Sequence, residues 1–233
     1  MPIEFKIATI ENSFVRMALA GPQGSGKTLT ALKLARWLGT KTVVVDTEND
    51  TAKLYADHLD TPKPYYIYNL NRFEPQAYCQ VVAAVAASDA DVCIIDSLSH
   101  SWNGKGGILE IAGGDIRGWK AANPEYQKLV TQITSYNRRM HVIVTLRAKQ
   151  EYVLERDDVT SKMTVVKHGM APIHRDELPY EFDIVGMLDQ NNVIRFDGVG
   201  KTRCAELRGK TFADPGKELA DIINNWLKGE SNG

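Results

Sequence analysis

The stretch that most restricts what this chain can fold into is "GPQGSGKT", residues 21–28. It fits G-x-x-x-x-G-K-[ST] without a mismatch. Before it, "FVRMALA" (14–20) reads as a strand. After it, Leu29, Leu32, Ala35 and Leu38 recur close to the 3.6-residue helical period. Glycines between a strand and a helix let the backbone curl until successive N–H groups point inward. The start of the helix adds partial positive charge to the same concavity. The stretch therefore reads as a phosphate cradle formed by Gly21, Gly24, Ser25 and Gly26. Lys27 is expected to reach the β- and γ-phosphates of a nucleotide, and Thr28 to hold Mg²⁺ through its hydroxyl. ATP and Mg²⁺ are the cofactors this implies.

The rest of the chain continues the alternation. "TVVVD" (42–46), "DVCIID" (91–96) and "HVIVTL" (141–146) are apolar on both faces, as strands inside a parallel sheet are. "YYIY" (65–68) reads as a shorter strand. Helices are expected from Glu74 to Ala87 and from about Pro124, where proline suits a first helical position. A Gly-rich stretch runs from Asn103 to Gly118. After Leu146 the pattern changes. "EYVLERDDVTSKMTVVK" alternates on either side of "RDD", and "FDIVGMLD" and "NVIRFDG" flank "QNN", so two hairpins are expected. An amphipathic helix from about Gly216 to Leu227 follows, with a frayed tail. The expected class is α/β, a mostly parallel central sheet with helices on both faces and C-terminal β-hairpins. No repeat or compositional break divides residues 1–233, so one domain is expected, with its core over about 13–228.

Charge and composition narrow the function classes. A formal net charge of −1 does not describe a chain that coats nucleic acid, so any such contact must come from local patches. Glu4, Lys6, Glu11 and Arg16 interrupt every apolar run near the start, and no 18-residue apolar stretch exists. A cytoplasmic protein without a membrane span is expected. Cys79, Cys93 and Cys204 are widely spaced and read as reduced, buried thiols.

A phosphate cradle needs a second carboxylate for its metal. Asp96 ends the buried strand "VCIID" and fits that role, as a Walker B aspartate does. Ser97 follows it, whereas many AAA+ enzymes place their water-activating Glu there. The base must come from elsewhere.

At this point the chain resembles the RecA-type ATPases. In these the catalytic Glu lies just beyond the strand next to the phosphate-loop strand, in a D-x-E-type segment. "VVVDTEND" (43–50) is similar, and "IIDSLS" resembles the RecA-type Walker B. The resemblance implies that Glu48 polarises the attacking water, while Asp46 supports the turn or the metal's waters. It also implies a basic residue delivered from a neighbouring subunit. "GVGKTRC" (198–204) offers Lys201 and Arg203 for that part, in a ring or filament of copies. Arg147 and Lys149 leave the fourth strand where RecA-like proteins sense the γ-phosphate, although RecA has a polar amide there.

More closely, the chain resembles the short AAA-type ATP-binding proteins of phages and prophages, which keep a RecA-like core. "GPQGSGKT", "VVVDTEND", "IIDSLSHSWNGKGG", "GMAPIHRDELPYEFD" and "KTRC" carry that resemblance over nearly the whole chain. Some members are described as single-strand annealing or recombination proteins, so single-stranded DNA and a single-strand-binding protein are implied partners. RecA-type proteins contact DNA through two loops. The matching regions are 100–123, with Trp102, Lys105, Arg117, Trp119 and Lys120, and 147–175, which mixes both charges. Aromatics interleaved with basic residues suit base stacking with phosphate contact. Two other readings stay open on the residues alone: a nucleotide-dependent switch or scaffold for a protein partner, and a small-molecule kinase. For the kinase, "LRAKQEYVLER" makes a poor lid, because it alternates like a strand.

Overall fold

The computed structural model describes residues 13–57, 64–135, 139–156, 163–197 and 201–230, apart from the side chains of 152–156, 163–168 and 201. The phosphate-loop strand is β1 (Arg16–Gly21), and α1 (Lys27–Leu38) follows the loop. Next come β2 (Thr42–Asp46), β3 (Tyr65–Asn69), α2 (Pro75–Ala87) and β4 (Val92–Asp96). Two short helices, α3 (Ser99–Asn103) and α4 (Ile108–Ala112), lead into the long α5 (Ile116–Thr134). Then β5 (His141–Arg156) turns back as β6 (Met163–Pro172). The chain closes with β7 (Ile184–Leu188), β8 (Val193–Arg195), β9 (Lys201–Thr202), β10 (Thr211–Ala213) and α6 (Lys217–Leu227).

The strands lie in the order β10-β8-β7-β1-β5-β4-β2-β3. From β7 to β3 every neighbouring pair is parallel. The expected α/β class, with its mostly parallel sheet, is what is found. It is the P-loop NTPase arrangement, with β5 inserted between the phosphate-loop strand and the strand that carries Asp96. One consequence departs from the sequence reading. β2 is not beside β1, because β5 and β4 stand between them. Glu48 therefore reaches the site from two strands further out.

Every residue of β1 is buried, because neighbours pair on both edges and helices cover both faces. Its side chains alternate between two cores. Ala18 and Ala20 join Ile95, Val144 and the buried sides of α2 and α5. Met17 and Leu19 join Ile94, Ile143 and the buried sides of α1 and α6. Each fully buried Ile or Leu in these cores contributes about 1.5–3 kcal/mol. Arg16 is buried at the start of β1, where its guanidinium donates to the carbonyls of Phe14, Met140 and Ser135 at 3.0, 3.1 and 2.8 Å.

Two expectations are corrected. The Gly-rich stretch 103–118 is broken by α4 and the start of α5, with turns between them. Asp115 caps α5 by accepting from the Arg117 N–H at 3.2 Å, so Pro124 lies inside the helix and not at its start. An interior proline costs about 3 kcal/mol. Burial of Ala122, Tyr126, Leu129, Val130 and Ile133 on one face offsets that cost. Both expected hairpins form, as β5–β6 and β7–β8. The "RDD" turn falls largely outside the described residues.

Candidate active site

The phosphate loop leaves β1 at its C-terminal end. Gly24 and Gly26 take left-handed backbone angles, φ +78 and +79, which only glycine adopts without strain. A Cβ on Gly26 would also lie 2.8 Å from Oδ1 of Asn192, which packs in from the β7–β8 turn. Inside the loop the Ser25 hydroxyl is buried and has no hydrogen-bond partner. The Lys27 ammonium folds back and donates to the Pro22 carbonyl at 2.8 Å. Burial holds its pKa below the ordinary lysine value; nearby Arg147 acts in the same sense, and Asp96 and Glu48 oppose.

Asp96 ends β4 nearly fully buried. Thr28 donates its hydroxyl to Asp96 Oδ2 at 2.7 Å, and the Thr145 hydroxyl of β5 donates to Oδ1. Burial pushes the Asp96 carboxyl above the ordinary carboxylate range, against both of these hydrogen bonds. A desolvated carboxylate facing a hydroxyl at the mouth of a phosphate loop fits a hard divalent cation with oxygen ligands. Thr28 and Asp96 would hold Mg²⁺ here, which when bound neutralises phosphate charge. The orphaned Ser25 hydroxyl and the curled glycines fit the nucleotide's phosphates.

Glu48 is aimed into this space by the turn after β2. Asp46 is buried and accepts from the N–H groups of Glu48 at 2.7 Å and Ala52 at 3.0 Å. Asn49 and Asp50 take left-handed angles, which these two residue types tolerate. Asp46 thus supports the turn, as expected. The Glu48 carboxylate is gripped by Arg147, whose Nε and Nη2 donate at 2.9 and 2.5 Å. His100 lies beside it, with Nε2 at 4.0 Å from Glu48 and Nδ1 at 2.8 Å from Thr47 Oγ1. Burial, with help from Arg147, holds the His100 pKa below the ordinary histidine value.

The structure thus brings Gly21, Gly24, Ser25, Gly26, Lys27, Thr28, Asp96 and Glu48 to one end of the sheet. Sequence reasoning missed Thr145, His100 and Asn192. The threonine at the end of a buried strand was a signal of a kind, since a hydroxyl there needs a partner.

The remaining expected site residues lie elsewhere. Arg203 pairs with Asp183 at 3.3 Å, and its N–H donates to the Asp183 carbonyl. Asp183 precedes β7 and also accepts from the Arg16 N–H, so this group sits where β1 begins. The length of β1, at about 3.3 Å per residue, separates it from the phosphate loop. Within one chain Arg203 does not join the site. Lys201 pairs along its backbone with Val185, and its side chain lies outside the described set.

Trp102 and Trp119 are half-buried against the core. Their rings lie 5.9 Å apart, and Trp102 stacks on His174 at 5.2 Å. Lys105, Arg117 and Lys120 are exposed. The segment 100–123 is thus a packed helical region with basic residues outside, where a flexible loop was expected.

A family model described as an AAA domain matches residues 13–213. No curated protein matches the chain.

Proposed function

The chain belongs to the AAA domain family, and from that premise we propose that it binds ATP with Mg²⁺ and hydrolyses it at the site described. The observation that carries this reading is the convergence of Lys27, the Thr28–Asp96 pair and Glu48 on one phosphate loop. Lys27 and the loop N–H groups bind and orient the phosphates. Thr28 and Asp96 hold the metal. Glu48 accepts a proton from the attacking water, the part that Ser97 cannot take. Among the described residues, no helix is long and apolar enough to cross a membrane.

The test is steady-state ATP hydrolysis beside equilibrium binding. Lys27→Ala should lose tight nucleotide binding. Glu48→Gln should bind ATP as the parent does and turn over at least a hundredfold more slowly, the lower range for loss of a general base. Parent-like turnover by Glu48→Gln would remove Glu48 from the mechanism.

The finer reading is that hydrolysis is coupled to single-stranded DNA in an assembly of copies, as in phage-type annealing or recombination. The sequence resemblance supports it, and so does the exposure of Lys105, Arg117 and Lys120 in the segment that follows Asp96 in the chain. Stimulation of ATPase activity by single-stranded oligonucleotide tests it. A second reading, a nucleotide-dependent switch for a protein partner, draws on the packed tryptophans, whose mutual contacts compete with base stacking. Under that reading DNA leaves the rate unchanged.

A further inference from the structure

His100 borders the proposed base without itself binding phosphate or metal. It lies in the first turn of α3, and its side chain is 12% exposed. The start of α3 is pinned to β5. The Leu98 N–H donates to the Thr145 carbonyl at 3.0 Å, and Ser99 Oγ accepts the Arg147 N–H at 3.0 Å. The imidazole is fixed as well. Phe73 lies against it with ring centroids 4.8 Å apart. Gly104 permits that approach, since a Cβ there would stand 2.7 Å from the Phe73 ring. Nδ1 meets Thr47 Oγ1 at 2.8 Å, which leaves Nε2 facing Glu48 Oε1 at 4.0 Å.

The hydrogen bonds around Thr47 decide which nitrogen of an uncharged ring carries the proton. The Ser97 N–H donates to Thr47 Oγ1 at 2.7 Å. The Thr47 hydroxyl has one hydrogen to give, to His100 Nδ1 at 2.8 Å or to the Ser97 carbonyl at 3.1 Å. That carbonyl already receives the Tyr78 hydroxyl at 3.2 Å. The hydrogen is therefore assigned to Nδ1, the shorter contact, and the ring proton to Nε2. Glu48 favours the same assignment, because a carboxylate draws a proton to the nitrogen that faces it. In a charged ring Nε2 carries a proton too. Donors thus run one way, from the Ser97 N–H through Thr47 and His100 toward Glu48. The two oxygens of a carboxylate offer about four acceptor positions. Arg147 Nε takes one on Oε1, and its Nη2 takes one on Oε2. His100 faces Oε1, so the open position is on Oε2.

We propose that His100 is a positioning residue for Glu48: its Nε2–H, oriented by Thr47, covers the Oε1 side of the carboxylate and leaves Oε2 to accept the proton of the attacking water. This rests on the ATPase reading for the role of Glu48. At 4.0 Å the contact is electrostatic, and a shift of about 1 Å makes it a hydrogen bond.

Two measurements test it. Long-range ¹H–¹⁵N spectra of the full chain labelled in histidine show which ring nitrogen carries a proton, and His100→Gln identifies the resonance. A proton is expected on Nε2. A proton on Nδ1 with a bare Nε2 would overturn the proposal. The spectra need only the parent and His100→Gln, so they decide the point even if His100→Asn does not fold.

The second measurement is kinetic. His100→Asn keeps an amide beside Thr47 and has nothing at the Nε2 position. It should lower kcat about tenfold, with KM and the affinity for a fluorescent non-hydrolysable ATP analogue within about twofold of the parent. His100→Gln, whose amide N–H reaches the Nε2 position, should restore most of the loss. In the Glu48→Gln background His100→Asn should leave the residual single-turnover rate unchanged, because no base remains to orient. A loss in both backgrounds, or one that His100→Gln does not restore, marks a structural role and overturns the proposal. Slow turnover by Glu48→Gln beside parent-like turnover by His100→Asn sinks the positioning role alone. If Glu48→Gln itself turns over as the parent does, the general-base role of Glu48 fails, and the positioning role with it.

Discussion

The Thr28 hydroxyl donates to Asp96 Oδ2 across 2.7 Å, joining residues 68 apart in the chain. Thr28 belongs to the first turn of α1 and Asp96 ends β4, yet their strands are not neighbours. β5 runs between them, and its Thr145 holds the other oxygen of the same carboxylate. The Asp96 carboxylate is thus held from both sides by hydroxyls.

Thr145→Val tests that arrangement. The change keeps the shape and removes one donor to a buried carboxylate. It should cost about 1–3 kcal/mol of stability, the usual penalty for leaving such a group short of a partner. With one opposing hydrogen bond gone, the Asp96 pKa should rise further. Urea unfolding checks the stability, and Mg²⁺ titration of nucleotide binding should show a weaker metal, more so at pH 6 than at pH 8. An unchanged midpoint and metal affinity would mean that Thr145 does not orient Asp96.

Two buried histidines make stability depend on pH. Burial lowers His141 to about 4, with Arg16 adding to the effect, and lowers His174 to about 3. In the unfolded chain each titrates near 6.5. A histidine whose folded pKa is depressed contributes stability that is complete above pH 6.5 and is lost as pH falls toward its folded value. At about 1.4 kcal/mol per unit, the two together remove up to about 4 kcal/mol between pH 6.5 and 5. Denaturant midpoints across that window check it. His141→Asn offers an amide oxygen in place of Nδ1, which accepts from the Val15 N–H at 3.1 Å. It should flatten the slope by about half.

The tryptophans and the basic residues around them separate by their effects. Trp102→Ala should cost about 2–4 kcal/mol, because the ring is half-buried among Trp119, Tyr126 and His174. Replacing Lys105, Arg117 and Lys120 together by Ala should leave the unfolding midpoint within about 0.5 kcal/mol of the parent. If single-stranded DNA crosses this face, the triple change should lower the salt slope of binding by about 2. An unchanged slope would move any DNA contact to another surface.

Arg203 is the test of assembly. Placed at the far end of β1, it serves a nucleotide only if another copy brings it there. Arg203→Ala and Glu48→Gln should each be nearly inactive in ATP hydrolysis. Mixed, they should recover part of the activity, because a Glu48→Gln subunit offers its Arg203 to a neighbour with an intact Glu48. No recovery in mixtures shown by light scattering to co-assemble would end the trans role.

The local features of this protein are written in short stretches of its sequence. "GPQGSGKT" specifies its loop because the chemistry is in backbone freedom and one lysine, and both are local. Apolar runs specify β1, β2, β4 and the first part of β5, because burial on both faces favours apolar side chains and admits polar ones, such as Arg16, Asp96 and Thr145, only where a partner meets them. Glu48 was legible as a carboxylate just past a buried strand. What holds it was not, since Arg147 is 99 residues away and no periodicity relates the two. The same is true of β5 lying between β1 and β4, which sets Thr145 beside Asp96. The tryptophans mark the other limit. A Gly-rich stretch with aromatics and lysines reads as an open loop until α2, α5 and His174 provide an apolar surface. Packing against that surface then decides which side of the residue meets water.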